Sequence, residues 1–122
     1  MDAQSFEHIL DEQINICRDT LVVKAKEYAT VDRLHNFKVL AALQDCTTRQ
    51  AVSMLMGKHT VSIFDMCRSA DVFPMEVWEE KITDHMNYLF LLKAVIDEEH
   101  NERMVKSGPP LIITVPTKHQ PY

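Results

Sequence analysis

The stretch Pro74–Leu92, PMEVWEEKITDHMNYLFLL, decides the fold class of this chain and carries its most informative polar residues. Proline stands only at its first position, where a helix tolerates it, and glycine is absent, so the stretch predicts a long helix. Side chains at spacings of four, four and three stack along one side of that helix. These side chains are Glu76, Glu80, Asp84 and Asn87.

The acidic row needs a compensating partner. Like charges four positions apart destabilise a helix by about 0.2–0.5 kcal/mol per pair. A hard divalent ion, Mg²⁺ or Mn²⁺, held by carboxylate oxygens and completed by phosphate, is the usual chemical answer. We therefore predict Glu76, Glu80 and Asp84 as metal ligands, with Asn87 as a neutral oxygen donor. The alternative is a solvated acidic face without a ligand.

Two helices are predicted in the first part of the chain, because no proline precedes Pro74 and glycine occurs only twice in 122 residues. Apolar residues recur at spacings of three and four and predict a first helix over about 4–28. That stripe consists of Phe6, Leu10, Ile14, Cys17, Leu21, Ala25 and Tyr28. A second helix is predicted over about 31–43, with Thr30 as its N-cap.

The remaining two helices have clear start signals. Thr47 and Gln50 form a capping box that opens a third helix, which we expect to reach about residue 68. Gly57 in its middle predicts close packing against another helix. The fourth helix runs from Pro74 to about residue 104. Its expected core residues include Trp78, Ile82, Leu89 and Ile96.

These elements predict an all-α domain over residues 1–106, arranged as an antiparallel four-helix bundle with short connections. Residues 107–122 are predicted to form an extended, proline-flanked tail, because Gly108-Pro109-Pro110 stops any helix. The apolar run 111–115 is expected to lie over its own helices or on a second subunit, or to pair with its copy. A small bundle with such a tail is expected to form a homo-oligomer.

Composition excludes several classes of partner. The net charge is −5, and no basic stretch is dense enough to follow a phosphate backbone, so we expect no nucleic-acid duplex as a partner. The longest apolar run, LFLLKAVI, is interrupted by Lys93 and is too short to cross a membrane. Cys17, Cys46 and Cys67 are scattered without CxxC spacing, which predicts reduced thiols and a cytoplasmic protein. Cys17 and Cys67 are expected on apolar helical faces.

Two further clusters carry groups suited to phosphate chemistry. In KAKEY, Lys24 and Tyr28 lie one helical turn apart as candidate substrate-binding residues, and Glu27 is able to complete a metal shell begun on the fourth helix. The alternative is a surface Lys–Glu pair beside a core tyrosine. In MGKH, Lys58 is a candidate for neutralising phosphate, and His59 for general base or phosphate donor. A histidine satisfied against the core is the alternative for His59.

The ordered set K-x-x-E-Y, N-F, G-K-H and E-x-x-x-E-x-x-x-D-x-x-N-Y resembles the small phage and bacterial proteins related to the MazG-like all-α nucleoside triphosphate pyrophosphatases. The resemblance covers roughly residues 20–97 and is closest in EVWEEKITDHMNYLFLL. It implies a helical, often oligomeric protein that binds Mg²⁺ and cleaves nucleoside triphosphates to a monophosphate and pyrophosphate.

The resemblance also implies roles for individual residues. The implied metal ligands are Glu76, Glu80 and Asp84, with Glu27 as a further acid. The implied phosphate contacts are Lys24 and Lys58, and the residues expected near the nucleoside are Asn36, Asn87 and Tyr88. We predict Glu80, Lys58 and His59 as the catalytic residues of a Mg²⁺-dependent hydrolysis.

The acid pattern departs from that of the family. Well-studied members carry E-x-x-E on one helix and E-x-x-D on another, whereas the last helix here has i, i+4 spacing and the first pair has no clear counterpart. This departure favours a second interpretation, a non-catalytic phage-type binder that sequesters a nucleotide or cyclic-nucleotide signal. A third interpretation is an interaction module without a small ligand.

Overall fold

Four helices, and no strand, make up the part of the chain that the structure describes. The computed structural model describes residues 1–27 and 32–107, without the side chains of residues 24, 25 and 27. Its helices are α1 (Ala3–Glu27), α2 (His35–Leu43), α3 (Thr48–Arg68) and α4 (Met75–Lys106). The all-α prediction is confirmed. The predicted cap at Thr30 and the tail from residue 108 lie outside the described residues.

Local hydrogen bonds explain where α3 and α2 begin. The predicted capping box is confirmed: the Thr47 hydroxyl accepts the Gln50 N–H at 3.2 Å, and the Gln50 side chain accepts the Thr47 N–H at 2.9 Å. The second helix begins at His35, four residues later than predicted. Its start is delayed because Asp32 accepts the N–H of Leu34 on its side chain and that of His35 on its carbonyl, which forms a turn.

The helix α4 is the centre of the arrangement. Within the described ranges, backbone contacts join α4 to α3 and to α1, and join α2 to α3. The helices α3 and α4 run antiparallel, because Thr60 contacts His85 while the earlier residue Arg49 reaches the later residue Glu99. On the other side of α4, the Gln13 amide of α1 donates to the Thr83 hydroxyl at 2.9 Å.

The hydrophobic core lies between α2, α3 and α4. Its buried centre consists of Leu34, Val52 and Val95. Four partly buried residues pack around this centre: Phe37, Tyr88, Leu91 and Leu92. Since each of these helices contributes one side of the core, the core fixes α2 and α3 against the middle of α4, next to the N-terminal half that carries the candidate site residues.

The first half of α1 corrects the predicted core stripe. Cys17 is buried, as expected, but Phe6, Leu10 and Ile14 are exposed, Phe6 to 61%. The reason is that α1 packs on α4 alone, from about Gln13 onward, so residues 3–12 have no described element beside them. Apolar periodicity predicts which face of a helix is apolar, but it does not predict whether an element of the same chain covers that face.

The inward face of α4 also differs from the prediction. Ile82, Leu89 and Ile96 were expected in the core and are exposed, whereas α4 buries Thr83, Asn87 and Val95. Two of these three inward residues are polar, so the apolar pattern alone selects the wrong side. The buried side of α4 differs from the predicted side because α1 and α3 cover the side that carries Thr83 and Asn87.

Two smaller expectations on α3 were wrong. Cys67 was expected on the apolar face and is exposed. A Cβ placed on Gly57 would meet nothing within 4 Å, so this glycine serves no close helix packing within the described chain. No helix in the described ranges is both long enough and apolar enough to cross a membrane.

Candidate functional site

The acidic row lies in a groove between α1 and α4. Glu76, Glu80 and Asp84 line one wall of this groove, opposite Ile16 and Thr20 of α1, and the volume of the open groove is about 260 Å³. The three carboxylates share the wall because each is one turn beyond the last on α4. None of them forms an ion pair with another described side chain. The groove therefore concentrates negative charge that the described chain does not neutralise.

A cavity of about 250 Å³ lies beside this groove, where α2 and α3 meet α4. Its apolar lining consists of Leu21, Phe37, Leu40, Leu55 and Leu91. Its polar lining consists of Arg33, Asn36, Asp84, Asn87 and Tyr88. An apolar cavity with a few convergent polar groups is the usual form of a small-molecule site.

Asn87 is the most unusual residue of this cavity. Its side chain is only 4% exposed, yet neither its amide nitrogen nor its amide oxygen has a hydrogen-bond partner among the described residues. A buried polar group without a partner destabilises a fold by about 1–3 kcal/mol, so such groups are rare. Because the amide borders a cavity, a ligand that offers one donor and one acceptor would satisfy both atoms.

Asp84 connects the cavity to the acidic groove. It lines both spaces, three residues before Asn87 on the same helix. If one end of a ligand occupied the cavity, the rest of the ligand would extend past Asp84 toward Glu80 and Glu76. A largely apolar cavity beside an oxygen-rich groove is the arrangement that a nucleoside followed by metal-bound phosphates would need.

Aromatic rings form one wall of the cavity. Tyr88 meets Phe37 edge to face, with ring centroids 6.5 Å apart, and its ring lies against the tilted ring of His59, with centroids 4.9 Å apart. Burial lowers the pKa of His59 below its ordinary 6.5, and this outweighs the opposing effect of the nearby Asp84 carboxylate. His59 is therefore neutral at neutral pH. Its neighbour Thr60 hydrogen-bonds His85 at 2.8 Å, which adds a second link between α3 and α4.

The donor set suits a hard divalent cation. Carboxylates of Glu80 and Asp84, one turn apart, are able to contribute oxygen ligands while phosphate and water complete the shell. Among the described side chains, however, no three His, Cys, Asp or Glu residues are close enough together to hold a metal by themselves. The side chain of Glu27, the predicted fourth ligand, lies outside the described residues.

The predicted site residues divide into three groups. The cavity and groove bring together Asn36, Asp84, Asn87, Tyr88, Glu76 and Glu80. The side chains of Lys24 and Glu27, and all of Tyr28, lie outside the described residues. Lys58 is exposed on α3 and does not line the cavity, and His59 touches the cavity wall through Tyr88.

Sequence reasoning missed Arg33, which lines the cavity just before α2. Its guanidinium is suited to bidentate contact with phosphate oxygens. The signal available in the sequence was its position three residues before Asn36. Neither periodicity nor spacing distinguishes it from any other surface arginine, because its place depends on the turn that Asp32 forms ahead of α2.

Comparisons of the chain with protein-family models, with curated proteins and with solved structures found no match. The geometry of the cavity and groove is therefore the basis on which a function is inferred.

Proposed function

We propose that this chain is a Mg²⁺-dependent nucleotide-binding protein that hydrolyses a (deoxy)nucleoside triphosphate to the monophosphate and pyrophosphate. The observation that carries the proposal is the unpartnered, buried amide of Asn87 in a cavity whose rim carboxylate, Asp84, leads into the acidic groove. This arrangement supplies a hydrogen-bonding pocket and an oxygen-rich channel in the order that a nucleotide requires.

The volume of the cavity limits what it is able to enclose. At about 250 Å³ it falls below the roughly 300–1,000 Å³ of sites that surround a drug-sized ligand. We assign it to the base and part of the sugar, with Asn87 and Asn36 reading polar edges and Tyr88 and Phe37 supplying flat apolar contact. The phosphates would then leave the cavity past Asp84.

The residues around the phosphates have distinct tasks in this proposal. Glu76, Glu80 and Asp84 would hold Mg²⁺, which would supply Lewis-acid polarisation of the phosphate oxygens and lower the pKa of a bound water. Glu80 orients the water that attacks the α-phosphorus and receives its proton, while the bond from that phosphorus to the β-bridging oxygen breaks. Arg33 holds phosphate charge from the cavity side in place of the exposed Lys58, and the roles predicted for Lys24, His59 and Glu27 remain part of the proposal.

A second candidate is binding without cleavage. It is favoured by the absence of a cluster of three metal-ligating side chains among the described residues. In that case the protein sequesters a nucleotide or a cyclic-nucleotide signal, using the same cavity. The two candidates differ only in whether the bound phosphate is attacked.

Three broader expectations belong to the same proposal. We place the helices in an antiparallel bundle, which the antiparallel α3–α4 pair supports. We place the protein in a reducing, cytoplasmic setting, since Cys17, Cys46 and Cys67 are all free thiols. We also propose that the chain forms a homo-oligomer, because large apolar side chains on α1, α3 and α4 are exposed.

The decisive experiment incubates the purified protein and Mg²⁺ with a panel of ribo- and deoxynucleoside triphosphates and resolves the products by ion-exchange chromatography. Monophosphate plus pyrophosphate from a substrate supports the hydrolase. Intact nucleotide that co-elutes with the protein supports the sequestering binder. Intact nucleotide with no retention, and no change in Trp78 fluorescence, would contradict both.

A further inference from the structure

The outer face of α3 carries an exposed apolar stripe opposite the core. Met54, Val61 and Phe64 are 54%, 59% and 57% exposed, and they recur at helical spacing on the side away from Val52. Gly57 lies in the same stripe, where a Cβ would meet nothing within 4 Å. A mid-helix glycine weakens a helix, and no contact within the described chain gives it a purpose.

The neighbouring helix α4 widens this stripe into a two-helix surface. Ile96 of α4 shares a shallow groove with Gln50 and Ser53 of α3, so it lies beside the outer face of α3. Leu89 and Ile82 are seven and fourteen residues earlier, respectively, and fall on the same side of α4 as Ile96. All three are exposed. A two-helix apolar surface of this kind is typical of a helix-bundle interface.

The charges on α3 match a second copy of the same surface. Lys58 and Asp65 lie on one edge of the stripe, about 10 Å apart along the helix, and neither has an ion-pair partner among the described residues. A two-fold axis beside Val61 would place Lys58 of each copy opposite Asp65 of the other, because Lys58 lies three residues before Val61 and Asp65 four residues after it, at nearly equal distances along the helix. An isologous interface requires this kind of self-complementarity.

The same axis gives Gly57 a purpose. Gly57 and Phe64 lie on the opposite edge of the stripe, toward α4. The axis would therefore bring Phe64 of one copy near the open space beside Gly57 of the other, where glycine has no side chain. Large side chains fill such gaps when two helices approach closely. The apolar contacts would then lie at the centre and the ion pairs at the rim, which is the usual anatomy of an interface.

The exposed half of α1 does not show this self-complementarity. Its apolar residues Phe6 and Leu10 are surrounded by acids, and no lysine or arginine precedes Arg18. The acids are Asp2, Glu7, Asp11 and Glu12. Two copies of this segment packed on each other would bring like charges together, which disfavours the pairing.

We infer that the outer face of α3, with the flanking apolar residues of α4, is the interface of a two-fold dimer of this chain, in which Lys58 pairs with Asp65 of the second copy. The inference rests on the self-association proposed above and not on nucleotide binding. The dimer would place α3 and α4 of both copies in one four-helix arrangement.

A charge-swap series tests the ion pairs. The mass of wild type, Lys58→Glu, Asp65→Lys and the double variant is measured by light scattering and sedimentation equilibrium over a range of protein concentrations. We expect a dimer for wild type, at least about a tenfold higher dimer dissociation constant for each single variant, and recovery in the double variant, since it restores opposite charges. A double variant as weak as the singles, or singles as tight as wild type, overturns the pairing.

Gly57→Leu tests the close approach with a matched control. The variant should raise the melting temperature of the separated chain, since leucine is the better helix former and its side chain meets open space. It should at the same time dissociate the dimer, whereas Ala94→Leu, which adds bulk at an exposed position on α4, should not. Two results would overturn this interface. One is a Gly57→Leu variant that is folded and still dimeric; the other is a dimer that dissociates only in Leu10→Glu, a variant of α1. A wild-type monomer at every concentration overturns the self-association as well, and leaves the nucleotide proposal to its own test.

Discussion

The imidazole ring of His59 on α3 lies against the phenol ring of Tyr88 on α4, with 4.9 Å between ring centroids and 32° between ring planes. This contact links the α3–α4 pair to the cavity, because Tyr88 also lines the cavity wall. Burial of His59 lowers its pKa, so the folded protein holds the ring in its neutral form.

Stability should therefore decrease in mild acid. Because the pKa of His59 is lower in the folded chain than its ordinary 6.5, the unfolded chain binds the proton more readily at this residue. The contribution of neutral His59 to the free energy of unfolding is fully present above pH 6.5. It decreases as the pH falls below that value, until the pH is below the folded-state pKa. Thermal melts from pH about 8 to about 5 should show this decrease in wild type.

The variant His59→Gln isolates the contribution of this ring. It should be less stable than wild type at high pH, through loss of the Tyr88 contact, but its stability should depend less on pH. His100→Gln, at an exposed histidine of α4, should retain the wild-type slope. An unchanged slope in His59→Gln would show that another group causes the acid sensitivity.

Asn87→Leu should separate stability from ligand binding. Replacing the unpartnered amide with an apolar side chain beside an open cavity should raise the free energy of unfolding by about 1–2 kcal/mol. It should also weaken nucleotide binding by at least about tenfold, since two hydrogen bonds to the ligand are lost. Denaturant unfolding and calorimetric titration measure the two effects. Asn101→Leu, at an exposed position, should change neither, and a destabilised Asn87→Leu that still binds would contradict the assignment.

Glu80→Gln should abolish metal-dependent turnover while the helix stays intact. The substitution keeps the shape of the side chain and removes the charge that we propose binds metal and orients water. We expect a loss of about 100-fold in Mg²⁺-dependent kcat/KM, which corresponds to about 2.7 kcal/mol. Glu102→Gln, at an exposed acid near the end of α4, serves as the control. Full activity in Glu80→Gln would remove this residue from the mechanism.

Arg33→Gln should weaken the binding of phosphorylated ligands in particular. Charge-assisted hydrogen bonds from a guanidinium contribute about 1.5–3 kcal/mol, so affinity for a triphosphate should fall by about 10–100-fold. Affinity for the matching nucleoside, which has no phosphate, should stay nearly constant. Lys58→Gln, assayed in parallel, decides whether the exposed lysine predicted from the sequence shares this role. Equal losses for nucleoside and triphosphate in Arg33→Gln would point to damage of the cavity.

Lys38 should stabilise the turn that positions Arg33. Its ammonium donates to Asp32 at 2.6 Å and also bonds Glu98 of α4, and these two partners raise its pKa. All three side chains are partly exposed, so we expect Lys38→Met to lower the free energy of unfolding by only about 1 kcal/mol.

The same measurement on Lys93→Met provides the control for Lys38. Lys93 pairs with Asp97 within one helix, at a more exposed site, and its loss should lower stability by no more than about 0.5 kcal/mol. A double-mutant cycle of Lys38 with Glu98 should show a favourable coupling. Zero coupling would mean that the turn is held by its backbone hydrogen bonds alone.

The sequence by itself determined the elements of this protein. The spacing of apolar residues, the scarcity of glycine and the Thr47–Gln50 capping box predict the helices α1, α3 and α4 to within two residues, because helix formation and capping depend on near neighbours along the chain. The stacking of Glu76, Glu80 and Asp84 on one wall follows from the same local geometry.

The tertiary structure alone decided which faces of these helices are buried. It turned Asn87 inward and Ile82 outward on α4, left Phe6 exposed on α1, and brought Arg33 to the cavity. The physical reason is that burial depends on which helix covers which face, and this is a relationship between residues far apart in the chain. Periodicity identifies an apolar face, but the partner that covers it is decided by packing.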